Sequence, residues 1–127
     1  MRNKKPTEAE LEILQVLWKN EPSTVRFVNE ELNKKRRIGY TTTLKIMQLM
    51  FSKDMLERVE AGRKHLYTSL IKEKETQNVL LDKFLNTTFG GSAMKLVMQA
   101  LGNHSTSKEE LDQIKDLIES IETDKNK

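Results

Sequence analysis

The sequence predicts a mainly α fold: a winged helix-turn-helix of three helices plus a β-hairpin wing, followed by a C-terminal helical region. Three consecutive observations predict it. A basic run, Lys34 to Arg37, leads into Tyr40-Thr41-Thr42-Thr43, which opens a helical stretch through Lys53. Two short β-compatible runs follow, Leu56 to Glu60 and Leu66 to Leu70, and between them lies the glycine-containing basic stretch Ala61-Gly62-Arg63-Lys64-His65. A short helix with polar side chains at its start can place them on base edges in the major groove, while a basic hairpin beside it grips phosphates. That order points to duplex DNA as the partner.

Each element has a local cause. Thr7-Glu8-Ala9-Glu10 is a capping box, so the first helix starts at Thr7. Leu11, Leu14 and Val16 to Trp18 supply its apolar face, and Glu21-Pro22 ends it, because the residue before proline disfavours the helical region. Ser23 is the expected cap of a second helix, in which Val25, Val28 and Leu32 recur at helical spacing. Gly39 interrupts the chain, and Thr41 is a candidate cap for the third helix. Gly62 is expected at the positive-φ position of the hairpin, and a lone two-stranded hairpin is marginal, so the wing must pack on the helices.

From Lys72 the pattern turns helical again. Val79, Leu80, Phe84 and Leu85 form a stripe closed by Gly90-Gly91. Ser92 begins a helix with Met94, Leu96, Val97, Met98 and Leu101, expected to end at Gly102. Ser107-Lys108-Glu109-Glu110 is a second capping box, followed by Leu111, Ile114, Leu117, Ile118 and Ile121. The division expected is residues 1–71 for the winged domain and 72–127 for a helical dimerisation domain. These last helices are too few to bury their stripes on one another, so self-association is the economical solution. Phe84, Leu96, Val97, Leu101, Leu111, Ile114, Leu117 and Ile118 are the candidate interface residues.

Projecting the third helix at about 100° per residue puts Thr43, Ile46, Met47 and Met50 on one side and Thr41, Thr42, Lys45, Gln48 and Leu49 on the other. Thr41, Thr42, Lys45 and Gln48 are therefore the base-edge candidates: threonine bonds to either base type, lysine donates to guanine and glutamine pairs with adenine. Arg36, Arg37, Tyr40, Arg63, Lys64, His65 and Tyr67 are the phosphate and wing candidates. Tyr40 and Tyr67 have two readings each, a hydrogen bond to phosphate or packing against the helix.

Composition narrows the remaining classes. The 127 residues are 36% hydrophobic and 32% charged with a net charge of +3. Residues 1–71 carry +5 and residues 72–127 carry −2, which assigns nucleic acid to the first half. The absence of cysteine excludes disulfides and thiolate chemistry and fits a cytoplasmic protein. No stretch approaches roughly 18 apolar residues and the N-terminus has no apolar targeting segment, so a soluble, non-secreted chain without membrane insertion is expected. Two histidines do not make a zinc site, and no catalytic constellation or phosphate loop is present. No metal, no cofactor and no enzymatic activity are expected.

These residues carry a family resemblance. Thr7-Glu8-Ala9-Glu10 through Leu17-Trp18, Tyr40-Thr41-Thr42-Thr43-Leu44, Leu56-Glu57-Arg58, Gly62-Arg63 and Tyr67 resemble the penicillinase-repressor (BlaI/MecI) family of winged-helix regulators. Phe89-Gly90-Gly91-Ser92, Lys95-Leu96-Val97 and Ser107-Lys108-Glu109-Glu110-Leu111 extend the resemblance over nearly the whole chain. It implies a homodimeric repressor on a palindromic double-stranded DNA operator, of the kind found upstream of β-lactam-resistance genes, released when a membrane sensor-protease cleaves an Asn-Phe bond. Gln99-Ala100 stands where that bond falls, and Leu49 stands where the family usually has arginine. The copper-responsive branch uses a C-terminal cysteine motif that this chain lacks. A winged-helix protein-interaction adaptor is the competing class, distinguished by a weak response to salt.

Overall fold

The computed structural model describes residues 5–125. In order these form α1 (Glu8–Asn20), α2 (Val25–Asn33), α3 (Tyr40–Ser52), β1 (Leu56–Ala61), β2 (Lys64–Ser69), α4 (Glu73–Phe89), α5 (Ala93–Asn103) and α6 (Lys108–Lys125). The chain separates into two compact units, one extending to Leu81 and the other spanning Asp82–Lys127.

α1 begins where the capping box places it. Thr7 Oγ1 accepts from the Glu10 amide at 3.1 Å and Glu10 Oε1 accepts from the Thr7 amide at 3.0 Å, satisfying amides that the helix leaves without partners. The other Glu10 oxygen accepts from Lys53 Nζ at 2.6 Å, tying the start of α1 to the residue that ends α3. α2 starts one residue later than expected. Thr24, not Ser23, is its cap, accepting from the Phe27 amide at 3.1 Å. Ser23 is otherwise engaged: its amide donates to the Tyr67 carbonyl at 3.0 Å, its carbonyl accepts from the Tyr67 amide at 2.8 Å, and its hydroxyl donates to the Asn20 carbonyl. This short bridge gives the β1–β2 hairpin a third partner, which answers the marginal stability of two strands alone.

α3 is capped at Gly39 rather than Thr41, which lies inside the first turn. Its far end closes as a Schellman motif: the Asp54 amide bonds the Phe51 carbonyl at 3.1 Å and the Met55 amide bonds the Met50 carbonyl at 2.9 Å. Asp54 takes the left-handed position, φ 61°, that glycine usually fills. The hairpin turn is shorter than the sequence indicated, only Gly62 and Arg63, because Ala61 pairs with Lys64 and Glu60 with His65. Gly62 has φ 66°, as a two-residue hairpin requires at its first turn position.

The core of the first unit is drawn from every element up to the wing. Ile13, Leu14 and Leu17 of α1, Val28 of α2, and Met47 and Met50 of α3 are fully buried, and Leu56 and Tyr67 from the hairpin close it. Burying each such side chain contributes about 1.5–3 kcal/mol. The Trp18 indole N–H donates to the Ile71 carbonyl at 2.9 Å, pinning the end of the wing to α1. The unit continues past Ile71 into the first turns of α4, where Thr76 is buried.

In the second unit, α4 ends at Gly90-Gly91, both at positive φ. α5 is capped by Ser92, and α6 opens with Glu110 donating its amide to Ser107 Oγ at 3.1 Å. Gly102 does not end α5, which runs on to Asn103; one glycine costs a helix only about 1 kcal/mol. Neither α5 nor α6 buries a residue.

Candidate nucleic-acid interface

The two faces of α3 separate as the helical projection indicates. Thr43, Met47 and Met50 are buried and Ile46 half-buried, while Thr41, Thr42, Lys45, Gln48 and Leu49 are exposed. The orientation of this helix is set by two asparagines on α2. Asn29 and Asn33, four residues apart, share one side of the helix. Asn29 Nδ2 donates to the Ile38 carbonyl at 3.1 Å and to Thr43 Oγ1 at 2.9 Å. Asn33 Nδ2 donates to the Ile38 carbonyl at 2.8 Å, and its Oδ1 accepts from the Ile38 amide at 3.2 Å. The turn between α2 and α3 is thus held by side-chain amides. Sequence reasoning missed both residues, and the spacing of four facing the basic run was the only available signal.

The start of α2, the outer side of α3 and the wing enclose an open groove of about 360 Å³. Tyr40 and Gln48 line it from α3, Arg63, Lys64 and His65 from the wing, and Arg26 and Arg58 from positions the sequence did not single out. Thr41, Thr42 and Lys45 lie exposed on the same helix, so α3 and the wing bring most of the candidates to one side of the first unit.

Charge on this side is left open. Among the described residues the ion pairs are Lys34–Glu31, Arg36–Glu12 and Lys53–Glu10. Of the cations that line the groove, Arg26, Arg58, Arg63 and Lys64 form none of them. Unneutralised cations around a concave surface focus positive potential there and attract polyanions.

Two wing and phosphate candidates are placed differently from the expectation. Tyr67 is only 1% exposed, a core residue whose ring the hairpin turns inward, with its hydroxyl accepting from Arg58 Nη1 at 3.3 Å. Of its two readings, packing is the one realised. Arg36 is committed to α1: its Nη2 and Nε donate to the two carboxylate oxygens of Glu12 at 2.7 and 3.2 Å. The bidentate hydrogen bond from Arg36 holds the Glu12 carboxyl below its ordinary range, and Glu12 in turn raises the Arg36 guanidinium. The remaining candidates, Arg37, Tyr40, Arg63, Lys64 and His65, are exposed, His65 standing edge-on to Tyr67 with ring centroids 6.4 Å apart.

In the second unit the dimerisation candidates are largely uncovered. Phe84, Val97, Leu101, Leu111, Leu117 and Ile118 are exposed and Leu96 and Ile114 half-buried. Among the described residues no cluster of three or more histidine, aspartate or glutamate side chains could hold a metal ion, and no helix is long and apolar enough to cross a membrane.

A helix with an exposed polar face, a wing and a cation-lined groove between them is the arrangement of a DNA-reading winged helix. The family model described as penicillinase repressor matches residues 6–120. The chain belongs to the penicillinase-repressor family. Its function is accordingly that of a DNA-binding transcriptional repressor, a class that is not enzymatic. The penicillinase repressor of Bacillus licheniformis is 28% identical over 113 residues, covering 89% of this chain and 88% of that one. The transcriptional regulator BlaI of Mycobacterium tuberculosis is 33% identical over 61 residues, 47% of this chain and 44% of the relative. The solution structure of the DNA-binding domain of the repressor BlaI is 30% identical with a TM-score of 0.50, spanning 59% of this chain and 93% of that domain. A MarR family protein from Bacillus stearothermophilus shares the fold over 98% of this chain and 79% of its own, at 17% identity and a TM-score of 0.51.

Proposed function

We propose that this repressor of the penicillinase-repressor family acts as a homodimer on a palindromic operator, α3 reading bases in the major groove and the wing holding backbone phosphates. The unpaired cations around the groove, on the side where α3 exposes Thr41, Thr42, Lys45 and Gln48, carry the reading. Phosphates supply the missing counter-charge, and the polar side chains of α3 supply donors and acceptors for base edges. The second unit serves dimerisation: α5 and α6 bury no residue of their own, so their leucine and isoleucine stripes await a second copy.

A cytoplasmic protein acting at genes of the β-lactam-resistance type is the setting the family implies. Release by a membrane sensor-protease is what the family implies, but its Asn-Phe rule does not carry over to this chain, where Gln99-Ala100 occupies that position. Operator selection from random duplexes tests the proposal. The expected winner has two inverted half-sites centred one helical turn, about 34 Å, or a multiple of it apart, bound by two subunits. A single asymmetric site bound by one subunit overturns it.

A further inference from the structure

Arg58 is set apart from the other cations of the groove by how it is held. It lies opposite Tyr67 in the hairpin register, so the two side chains share a face of the wing. Its guanidinium carbon sits 4.0 Å from the centroid of the Phe51 ring at the end of α3, and its Nη1 donates to the Tyr67 hydroxyl at 3.3 Å. This β1 side chain thus touches both β2 and α3. It is half-buried, yet it takes part in none of the ion pairs among the described residues. Glu60, on the same face two residues further along β1, forms no ion pair with it either. A guanidinium carries five N–H donors in a rigid plane, and among the described residues the Arg58 hydrogen bond to Tyr67 uses one of them.

We propose that Arg58 seats a backbone phosphate of the operator in the groove between the recognition helix and the wing, with the buried Tyr67 hydroxyl bracing the guanidinium from behind. The inference rests on the DNA-bound reading above and adds a specific anchor to it. Phe51 holds the plane of the fork and Tyr67 holds one corner, so little side-chain freedom is lost when a phosphate arrives. Two parallel N–H donors match two phosphate oxygens. The Tyr67 oxygen accepts from Arg58 and takes no part in the contact with phosphate itself. A charge that is half withdrawn from water and has no carboxylate partner in the free protein gains its counter-ion only in the complex. Arg63 and Lys64, exposed at the turn, lack this bracing and grip the backbone as mobile point charges.

The test uses the full chain on its selected operator, with duplexes in which one phosphate at a time is replaced by a neutral methylphosphonate, and compares wild type with Arg58→Gln, Arg58→Lys and Tyr67→Phe. For wild type, one substitution per half-site should weaken binding strongly; for Arg58→Gln the same substitution should cost nothing further. The salt slope of Arg58→Gln should be shallower by about 0.9 per subunit. Should Arg58→Gln fail to fold, Arg58→Lys reads the same coupling, since a single ammonium replaces a two-pronged fork and the neutral phosphate should cost it less than it costs wild type. Tyr67→Phe should keep the salt slope while reducing the penalty at that phosphate. If the salt slope of a folded Arg58→Gln is unchanged and every methylphosphonate costs it what it costs wild type, Arg58 braces the wing only and the assignment fails while the DNA reading stands. A flat salt response of the wild type would remove both.

Discussion

The Asn29 side-chain amide donates to the Thr43 hydroxyl at 2.9 Å, joining the middle of α2 to the first turn of α3. Thr43 is fully buried and its hydroxyl donates in turn to the Gly39 carbonyl at 3.4 Å. The turn of the helix-turn-helix is therefore held by a chain of side-chain hydrogen bonds between α2 and α3.

Asn29→Ala removes both of that amide's hydrogen bonds, to Thr43 and to the Ile38 carbonyl. The expected cost is about 1–3 kcal/mol, since the Thr43 hydroxyl loses a donor in a buried setting. Thermal unfolding followed by circular dichroism measures it, and an unchanged midpoint would show that the latch contributes nothing to stability.

Asp54 stands at the left-handed position of the α3 Schellman motif with φ 61°. Asp54→Gly should stabilise the protein by about 0.5–1 kcal/mol, the relief of strain exceeding the added freedom of the unfolded chain. Denaturant titration reads this as a higher midpoint at constant slope, and a lower midpoint contradicts it.

Specificity and affinity should separate between helix and wing. Lys45→Ala is expected to relax preference at one base position by about 1–3 kcal/mol, whereas Arg63→Ala should weaken all sequences alike. Binding to a panel of single-base operator variants distinguishes them. A changed preference with Arg63→Ala and none with Lys45→Ala would reverse the two roles.

Glu10 should make the winged unit acid-sensitive. Burial works against its ionisation, but hydrogen bonds from Lys53 and Thr7, with the Lys53 charge, outweigh it and leave the carboxyl below its ordinary 4.5. A lowered folded value means that the stabilisation is complete above the unfolded value and is lost as pH falls through the folded one. Wild type should thus exceed Glu10→Gln in stability near neutrality, with the gap closing below about pH 4.5. A gap independent of pH would assign the effect to packing.

The second unit is tested by truncation after Leu81, where the first compact unit ends with its core intact. The fragment should be a folded monomer that binds a half-site weakly, because joining two subunits raises the effective concentration of the second by orders of magnitude. Sedimentation and operator titration read both properties. A dimeric fragment, or one matching the intact chain in affinity, would give the second unit another task.

Much of this architecture is legible in local spacing. Thr7 with Glu10, and Ser107 with Glu110, announce helix starts because a capping box lies within one turn and needs nothing from the rest of the chain. The 3.6-residue period separates Met47 and Met50 from Lys45 and Gln48 for the same reason. What the period cannot carry is the identity of distant partners. Arg36 looks like a phosphate contact beside Arg37, yet Glu12, 24 residues earlier, claims it. Tyr67 looks like part of the wing surface, yet pairing of its backbone with Ser23 turns its ring into the core. Arg58 and Arg26 reach the groove only once the hairpin folds back beside α3. Capping boxes and helix faces depend on neighbours three or four residues away and are legible locally, whereas the cap of α2 passes to Thr24 because Ser23 pairs with the distant Tyr67. Which cations remain unpaired, and on which side of the molecule, depends on the packing of elements far apart in the chain, and the tertiary fold decides it.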